Sequence, residues 1–479
     1  MVYVSESERL VEPHQINGMN WSVKSWVLLF IVSGALFLDS IDLSMVNIAL
    51  PSIGSELNLT ASWLQWIVNS YILGYGGFLL LGGRVSDLLG RKLVFLTAVA
   101  VFGIASLASA FSSDITTMVV LRFIKGVAAG FTVPAGMSII ATSFAPGPAR
   151  AKALTIYAIL GTLGFGLGLV FGGIFTEFGW RITLFAPWPV ATVIFFLGLR
   201  FIPNPQKNNR SLKGFDVFGA ATMTGALLLL VFAVVEAPEQ GWFAKKTLLL
   251  FGISTLLLAS FIIIEIRHRT PLVRLGILSD KLILHANISA AILIGSFMSY
   301  QFVMTLYLAE SLKWSPLQIA LAFLPSSAPV PIFGKLLAKL FSTYGTTWPI
   351  LIGMSILSVG YLLLLRTEPG MAYWEFMLPT VICVGVGFAL CFGAINIQGV
   401  HGINEAEQGL ASGLVNTSLQ VGGALSLAIA VAIIGGSETS FAENQLLPNM
   451  ERLIMAIAGL SAAGAIISVF AVLYRWKSF

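Results

Sequence analysis

A chain of 479 residues that is 57% hydrophobic and only 10% charged, with 47 glycines, lies outside the composition of soluble globular proteins and reads as an integral membrane protein. Its net charge of +5 does not mark a nucleic-acid binder, because the basic residues are scattered through short segments between apolar runs. Cys383 and Cys391 lie on one predicted helix, about 12 Å apart at about 1.5 Å per residue, so no disulfide framework is indicated.

Residues 1–25 carry Glu6, Glu8, Arg9, Glu12 and Lys24 and lack the apolar core and cleavage site of a secretory leader; a short cytoplasmic tail is expected. Runs of about 20 residues, enough to cross about 30 Å of hydrocarbon, then lie near 26–49, 63–82, 93–111, 115–137, 153–175 and 183–202. Two more fall near 217–235 and 246–266, and a second six near 285–308, 316–337, 347–365, 374–397, 410–434 and 453–474. The fold class predicted is an all-α integral membrane protein of fourteen transmembrane helices. A six-helix bundle (26–203) is followed by a linker with two inserted helices (204–284) and a second six-helix bundle (285–479).

Placing the N-terminal tail in the cytoplasm puts about 19 of the 27 Lys and Arg residues on cytoplasmic segments and about 6 outside. Both termini are therefore expected in the cytoplasm; the loop with His401, Glu405 and Glu407 runs against the bias. The polar stretch PNPQKNNRSLKG (203–214) marks the end of the first bundle, and EIRHRTPLVRLG (265–276) precedes the second. Each bundle also has a glycine-plus-basic loop after its second helix, GRVSDLLGRK (83–92) and the weaker GKLLAKLFSTYG (334–345), the faint repeat expected of a duplicated transporter.

No G-x-x-x-x-G-K-[ST] phosphate loop occurs, and the four histidines (His14, His268, His285, His401) fall in the tail, in loops or at a helix edge without ligand spacing. No metal, cofactor or enzymatic chemistry is expected. What remains is the charge a bilayer should exclude. Asp39 and Asp42 share one face of helix 1, and Arg122 and Lys125 have the same spacing on helix 4. Such residues normally face a cavity or each other. One reading is a proton or cation site across a water-filled cavity between helices 1 and 4; the other is a fixed ion cluster that only sets helix packing.

The loop GRVSDLLGRK sets Asp87 and Arg91 around Gly83 and Gly90, glycines expected to bring helices 2 and 3 together beneath a charged cytoplasmic latch. Helix 5 presents Gly164, Gly168, Gly172 and Gly173 as a small-residue face, for tight packing or sliding. Trp66, Tyr71 and Tyr75 in helix 2, with Tyr300, Gln301, Tyr307 and Glu310 in the first helix of the second bundle, are candidates to line a substrate cavity. Most such aromatics serve packing or the interface, and Glu310 is equally a loop residue.

Taken together these motifs resemble the major facilitator superfamily, and within it the fourteen-helix drug:proton antiporters, over nearly the whole chain. DLSMVNIALP (42–51) resembles the family's helix 1 signature D-x-T-x-V-N-x-A-L-P, which makes Asp42 the family aspartate and Asp39 an addition. GRVSDLLGRK resembles the loop motif with Leu88 in place of its Arg, and LRFIKG resembles R-x-x-Q-G with Lys125 in place of Gln. GFGLGLVFGG (164–173) resembles the antiporter motif with Leu169 in place of its proline; GWRITLFAPWP (179–189) and GLASGLVNTSLQVGGA (409–424) extend the likeness.

The resemblance implies a proton-driven exporter of small amphipathic or cationic compounds, working by alternating access. Asp42 would titrate and Arg122 would couple it to the cavity; Asp39 and Lys125, an acid and a base both added to the family pattern, raise the question whether one balances the other. The expected partners are a small-molecule substrate, protons and the lipid bilayer, and the expected state is a monomer in a bacterial inner or fungal plasma membrane. A proton-independent facilitator, and an exporter of a lipid, metabolite or inorganic solute, are the alternatives, with a non-transporting scaffold or sensor behind them.

Overall fold

The computed structural model describes residues 21–145, 147–203, 217–267, 275–368, 371–403, 408–434 and 446–476. Its helix ends follow capping and glycine signals more closely than hydropathy edges. α1 (Val23–Leu57) starts at Ser22, whose hydroxyl accepts from the Ser25 N–H (3.2 Å), and runs through Pro51 to Leu57, past the expected end near 49. Asn58 stops it in the left-handed conformation (φ 52°). α2 (Ala61–Leu89) and α3 (Arg91–Ala110) are separated by Gly90 alone, at φ 99°, a turn that a side chain would strain. α4 (Ile115–Ser143) is capped by Asp114, α5 (Pro148–Phe178) ends at Gly179 (φ 130°), and α6 (Trp180–Phe201) is interrupted at Ala186, before Pro187.

After them come α7 (Val217–Gln240), α8 (Lys245–Arg267) and α9 (Lys281–Ser311), the last capped by Asp280, whose carboxylate accepts from the N–H groups of Leu282 and Ile283. α10 (Pro316–Tyr344) opens with a Ser315–Gln318 capping box and breaks between Ser327 and Pro329. α11 (Thr347–Arg366), α12 (Leu378–Gln398), α13 (Gln408–Ile434) and α14 (Met450–Trp476) complete the order. Among the described residues, 12 helices are long and apolar enough to cross a membrane. α2 and α7 are the other two of the expected fourteen. They have 29 and 24 residues.

The packing repeats between the halves. In the first, α1 packs on α5 and α6, α4 on α2 and α3, and α3 on α6. In the second, α9 packs on α13 and α14, α12 on α10 and α11, and α11 on α14. The protein is thus two six-helix bundles of like connectivity, joined along two seams, α2 with α13 and α5 with α10. α7 and α8 pack on each other, and α7 covers the α2–α13 seam. There the Thr224 hydroxyl donates to the Gly77 carbonyl (2.6 Å) and Trp66 meets Phe232 with ring centroids 5.6 Å apart.

The α5–α10 seam is tight from the Gly179 end to mid-helix. The Leu317 N–H donates to Glu177 (3.3 Å), a Cβ on Gly173 would fall 2.8 Å from that of Ala320, and one on Gly166 would fall 2.9 Å from the Ser327 hydroxyl. Beyond the break, the Pro329–Tyr344 half of α10 buries only Pro329 and leaves Ile332, Phe333 and Leu336 exposed. The polar boundary at 203–214 lies, Pro203 apart, outside the described residues, as do most of 265–276 and Glu405.

Candidate functional site

Asp42 is not set across a cavity from helix 4, as the first reading had it; it is locked onto that helix. Its Oδ2 accepts from Arg122 Nη1 and its Oδ1 from Lys125 Nζ, and all three side chains are 0% exposed. Taking each ion out of water costs several kcal/mol, so only close geometry and further hydrogen bonds make such a cluster tenable. Those bonds are present. Arg122 Nε donates to the Ile67 carbonyl (3.1 Å), and its guanidinium carbon lies 4.6 Å from the centre of the Tyr71 ring. Lys125 Nζ donates to Ser106 Oγ (3.1 Å), which donates to the Leu184 carbonyl (2.7 Å), and Phe102 sits 4.8 Å from the ammonium. Side chains and carbonyls of α1, α2, α3, α4 and α6 therefore meet at one ion cluster.

The cations reach α1 and α2 because α2 and α4 touch backbone to backbone. A Cβ on Gly74 would fall 2.8 Å from the Val127 nitrogen, and one on Gly130 would fall 2.9 Å from the Tyr75 carbonyl oxygen. Gly82 and Gly126 complete this contact. Several polar atoms in the cluster region stay without a partner among the described residues, among them Asp39 Oδ2, on a side chain 6% exposed, Arg122 Nη2 and the Tyr71 hydroxyl. Lys125 pairs with Asp42 and not with Asp39, so the expected Asp39–Lys125 balance is not a direct contact. The reason is reach: Asp42 and Lys125 face each other across the α1–α4 contact.

The remaining expected residues disperse. Gly83 does not join helices 2 and 3; its open side meets Pro134 of α4 at an ordinary 3.6 Å, and Gly90 alone makes the turn. Arg91 opens α3 just after it, while the side chain of Asp87 lies outside those described. The helix 5 glycines form two faces. Gly164, Gly168 and Gly172 press on Phe37, Ile41 and Met45 of α1, whereas Gly173 turns to α10. Tyr71 lies beneath Arg122, and Tyr75 meets it edge-on at 6.3 Å. Trp66 packs on α7, not into a cavity. Tyr300 packs on Phe323 and Tyr361, and Tyr307, in the terminal π-turn of α9, packs on Phe376. Glu310 pairs with Lys313 at 3.7 Å near the helix end. Gln301 is buried, and neither end of its amide is bonded among the described residues.

His285 is a correction of another kind. Far from idling at a helix edge, it is buried, with Nε2 2.9 Å from Ser468 Oγ and Nδ1 2.7 Å from Gln398 Nε2, tying α9 to α12 and α14. Ser106 and the Ile67 carbonyl were missed because a lone serine in an apolar helix and a backbone oxygen leave no pattern in the sequence. Among the described residues, no group of three or more His, Cys, Asp or Glu could hold a metal ion.

Two matched six-helix bundles are the plan of membrane transporters built from a duplicated repeat. The chain belongs to the Major Facilitator Superfamily, whose family model matches residues 32–427. It is 31% identical to the puromycin resistance protein pur8 of Streptomyces alboniger, over 87% of this chain and 83% of that protein. It is 30% identical to the cephamycin export protein CmcT of Amycolatopsis lactamdurans, over 92% of this chain and 91% of that one. Among solved structures it resembles tetrameric PepTSo2 with a TM-score of 0.67 at 13% identity, over 95% of this chain and all of that one, a likeness of fold alone.

Proposed function

We propose that the protein is a proton-coupled exporter of small organic compounds, crossing a bacterial plasma membrane fourteen times with both termini and the Gly90 turn in the cytoplasm. The observation that carries the coupling is the pair of unlike acids in α1. Asp42 is saturated by Arg122 and Lys125, while Asp39, one turn away, keeps a buried oxygen open. A proton entering from outside has its landing place at Asp39. Its arrival alters the charge held inside the first bundle, against which Arg122 and Lys125 are fixed, and biases one packing of the bundles over the other.

The seams support the conformational half of the reading. α5 and α10 are closed at the Gly179 end, the outer side in this orientation, and part beyond Ser327. Arg91, Asp87 and the Gly90 turn then close the cytoplasmic side in the alternate state, with the glycine face of α5 as the seam that slides. The relatives, a puromycin resistance protein and a cephamycin export protein, support antibiotic-sized organic molecules as the substrate class.

The test is transport in proteoliposomes. An inward proton gradient should drive export of a substrate in wild type, and substrate addition should move protons. Asp39→Asn should keep downhill exchange and lose the response to the gradient. Gradient-driven export unchanged in Asp39→Asn would refute the assignment.

A further inference from the structure

A row of phenylalanine rings crosses from one bundle to the other. Phe165 on α5 lies 5.7 Å, centroid to centroid, from Phe297 on α9; Phe297 lies 5.1 Å from Phe388 on α12; Phe388 stacks on Phe392 at 5.3 Å with 13° between the planes. Phe297 is buried and the other three are half-buried. α5 belongs to the first bundle and α9 and α12 to the second, so the Phe165–Phe297 contact is the point in the row that opens when the bundles move. Four residues from Phe297, on the same face of α9, stands Gln301. It is 1% exposed, and among the described residues neither its Nε2 nor its Oε1 has a hydrogen-bond partner.

Packing accounts for the rings but not for this amide. A buried polar group is ordinarily satisfied, and each exception asks for an explanation. An amide offers one acceptor and a donor side by side, next to a line of aromatic faces that favour offset or edge-on contact with other rings. We propose that this row and Gln301 form the substrate site, and that it takes flat aromatic molecules bearing a carbonyl and an N–H or O–H group. The ring system enters between Phe165 and Phe297, and either its carbonyl accepts from Gln301 Nε2 or its N–H or O–H donates to Gln301 Oε1. This assignment deepens the export reading and rests on it for transport, but binding can be measured apart from transport.

The experiment is equilibrium binding to the full chain in lipid nanodiscs. The probes are acridone, which carries both polar groups, and anthracene, the same three-ring outline without them. Phe165→Leu and Phe388→Leu keep apolar volume and should each weaken both probes about five- to tenfold. Gln301→Leu should weaken acridone about tenfold and leave anthracene unchanged; Gln301→Asn, which keeps an amide, should lose less. Phe171→Leu, on the exposed side of α5, should change neither.

Unchanged acridone binding in both phenylalanine variants, equal losses for the two probes in Gln301→Leu, or no acridone binding by wild type would each overturn the site. Acridone binding that follows this pattern without gradient-driven export would instead sink the coupling and leave the site standing.

Discussion

Lys125 on α4 donates to Asp42, not to Asp39, and so shares one carboxylate with Arg122 inside the first bundle. A charge-balancing partnership between Asp39 and Lys125 would make the double variant Asp39→Asn/Lys125→Gln milder than its parts. The geometry gives a different expectation: Asp39 and Lys125 share no hydrogen bond but both stand beside Asp42, so the two losses in stability should couple by no more than about 1 kcal/mol. A thermal-shift double-mutant cycle in detergent reads this directly, and a large compensating term would contradict the pairing described.

Removing the acid should cost more than removing either base. Asp42→Asn leaves two cations buried without their counter-charge, a loss of about 3–5 kcal/mol. Lys125→Met leaves Asp42 still held by Arg122 and should cost about 2 kcal/mol, the scale of one hydrogen bond to a charged group. The ranking, read from unfolding in a denaturant series, should be Asp42→Asn well below Lys125→Met, with Asp39→Asn nearest to wild type.

Glycines that look alike in the sequence should respond differently. Gly130→Ala pushes a methyl group against the Tyr75 carbonyl, where backbone must move, and should cost up to about 3 kcal/mol as overpacking. Gly83→Ala meets only Pro134 at 3.6 Å and should stay within about 0.5 kcal/mol. Equal melting temperatures for the two variants would show that α2 and α4 do not touch as described.

The α5–α10 seam can be trapped. A Cβ on Gly166 lies 3.2 Å from the Ser327 Cβ, close to the separation of a disulfide. The Gly166→Cys/Ser327→Cys variant should cross-link under mild oxidation and stop transport, and reduction should restore it. Ready cross-linking with full transport would mean that this seam does not part in the cycle.

At the Glu177 end of the same seam, Glu177→Ala removes the acceptor for the Leu317 N–H. Cross-linking of the 166/327 pair should then slow, because the closed arrangement is populated less. A rate unchanged from the parent pair would assign that contact no part in closure.

The sequence alone determined the membrane class, the helices and the two-bundle plan, because hydropathy over about 20 residues, capping residues and single glycine turns act locally. Asp42, Arg122 and Lys125 were also legible, since charge in an apolar helix needs a partner and equal spacing nominates one. Which partner was not legible. The choice of Asp42 over Asp39 depends on the rotation of α1 against α4, which rests on the packing of α1 on the α5 glycines and of α4 on α2 through Gly74, Gly82, Gly126 and Gly130. The helix 5 glycines gave one face in sequence and two in space, because Gly172 and Gly173 are neighbours and point about 100° apart. The ring row through Phe165, Phe297 and Phe388 joins residues far apart in the chain on three helices, so no window of sequence contains it. Local chemistry chose the helices and the charges to be hidden; only the packing of helix on helix decided what each buried group would touch.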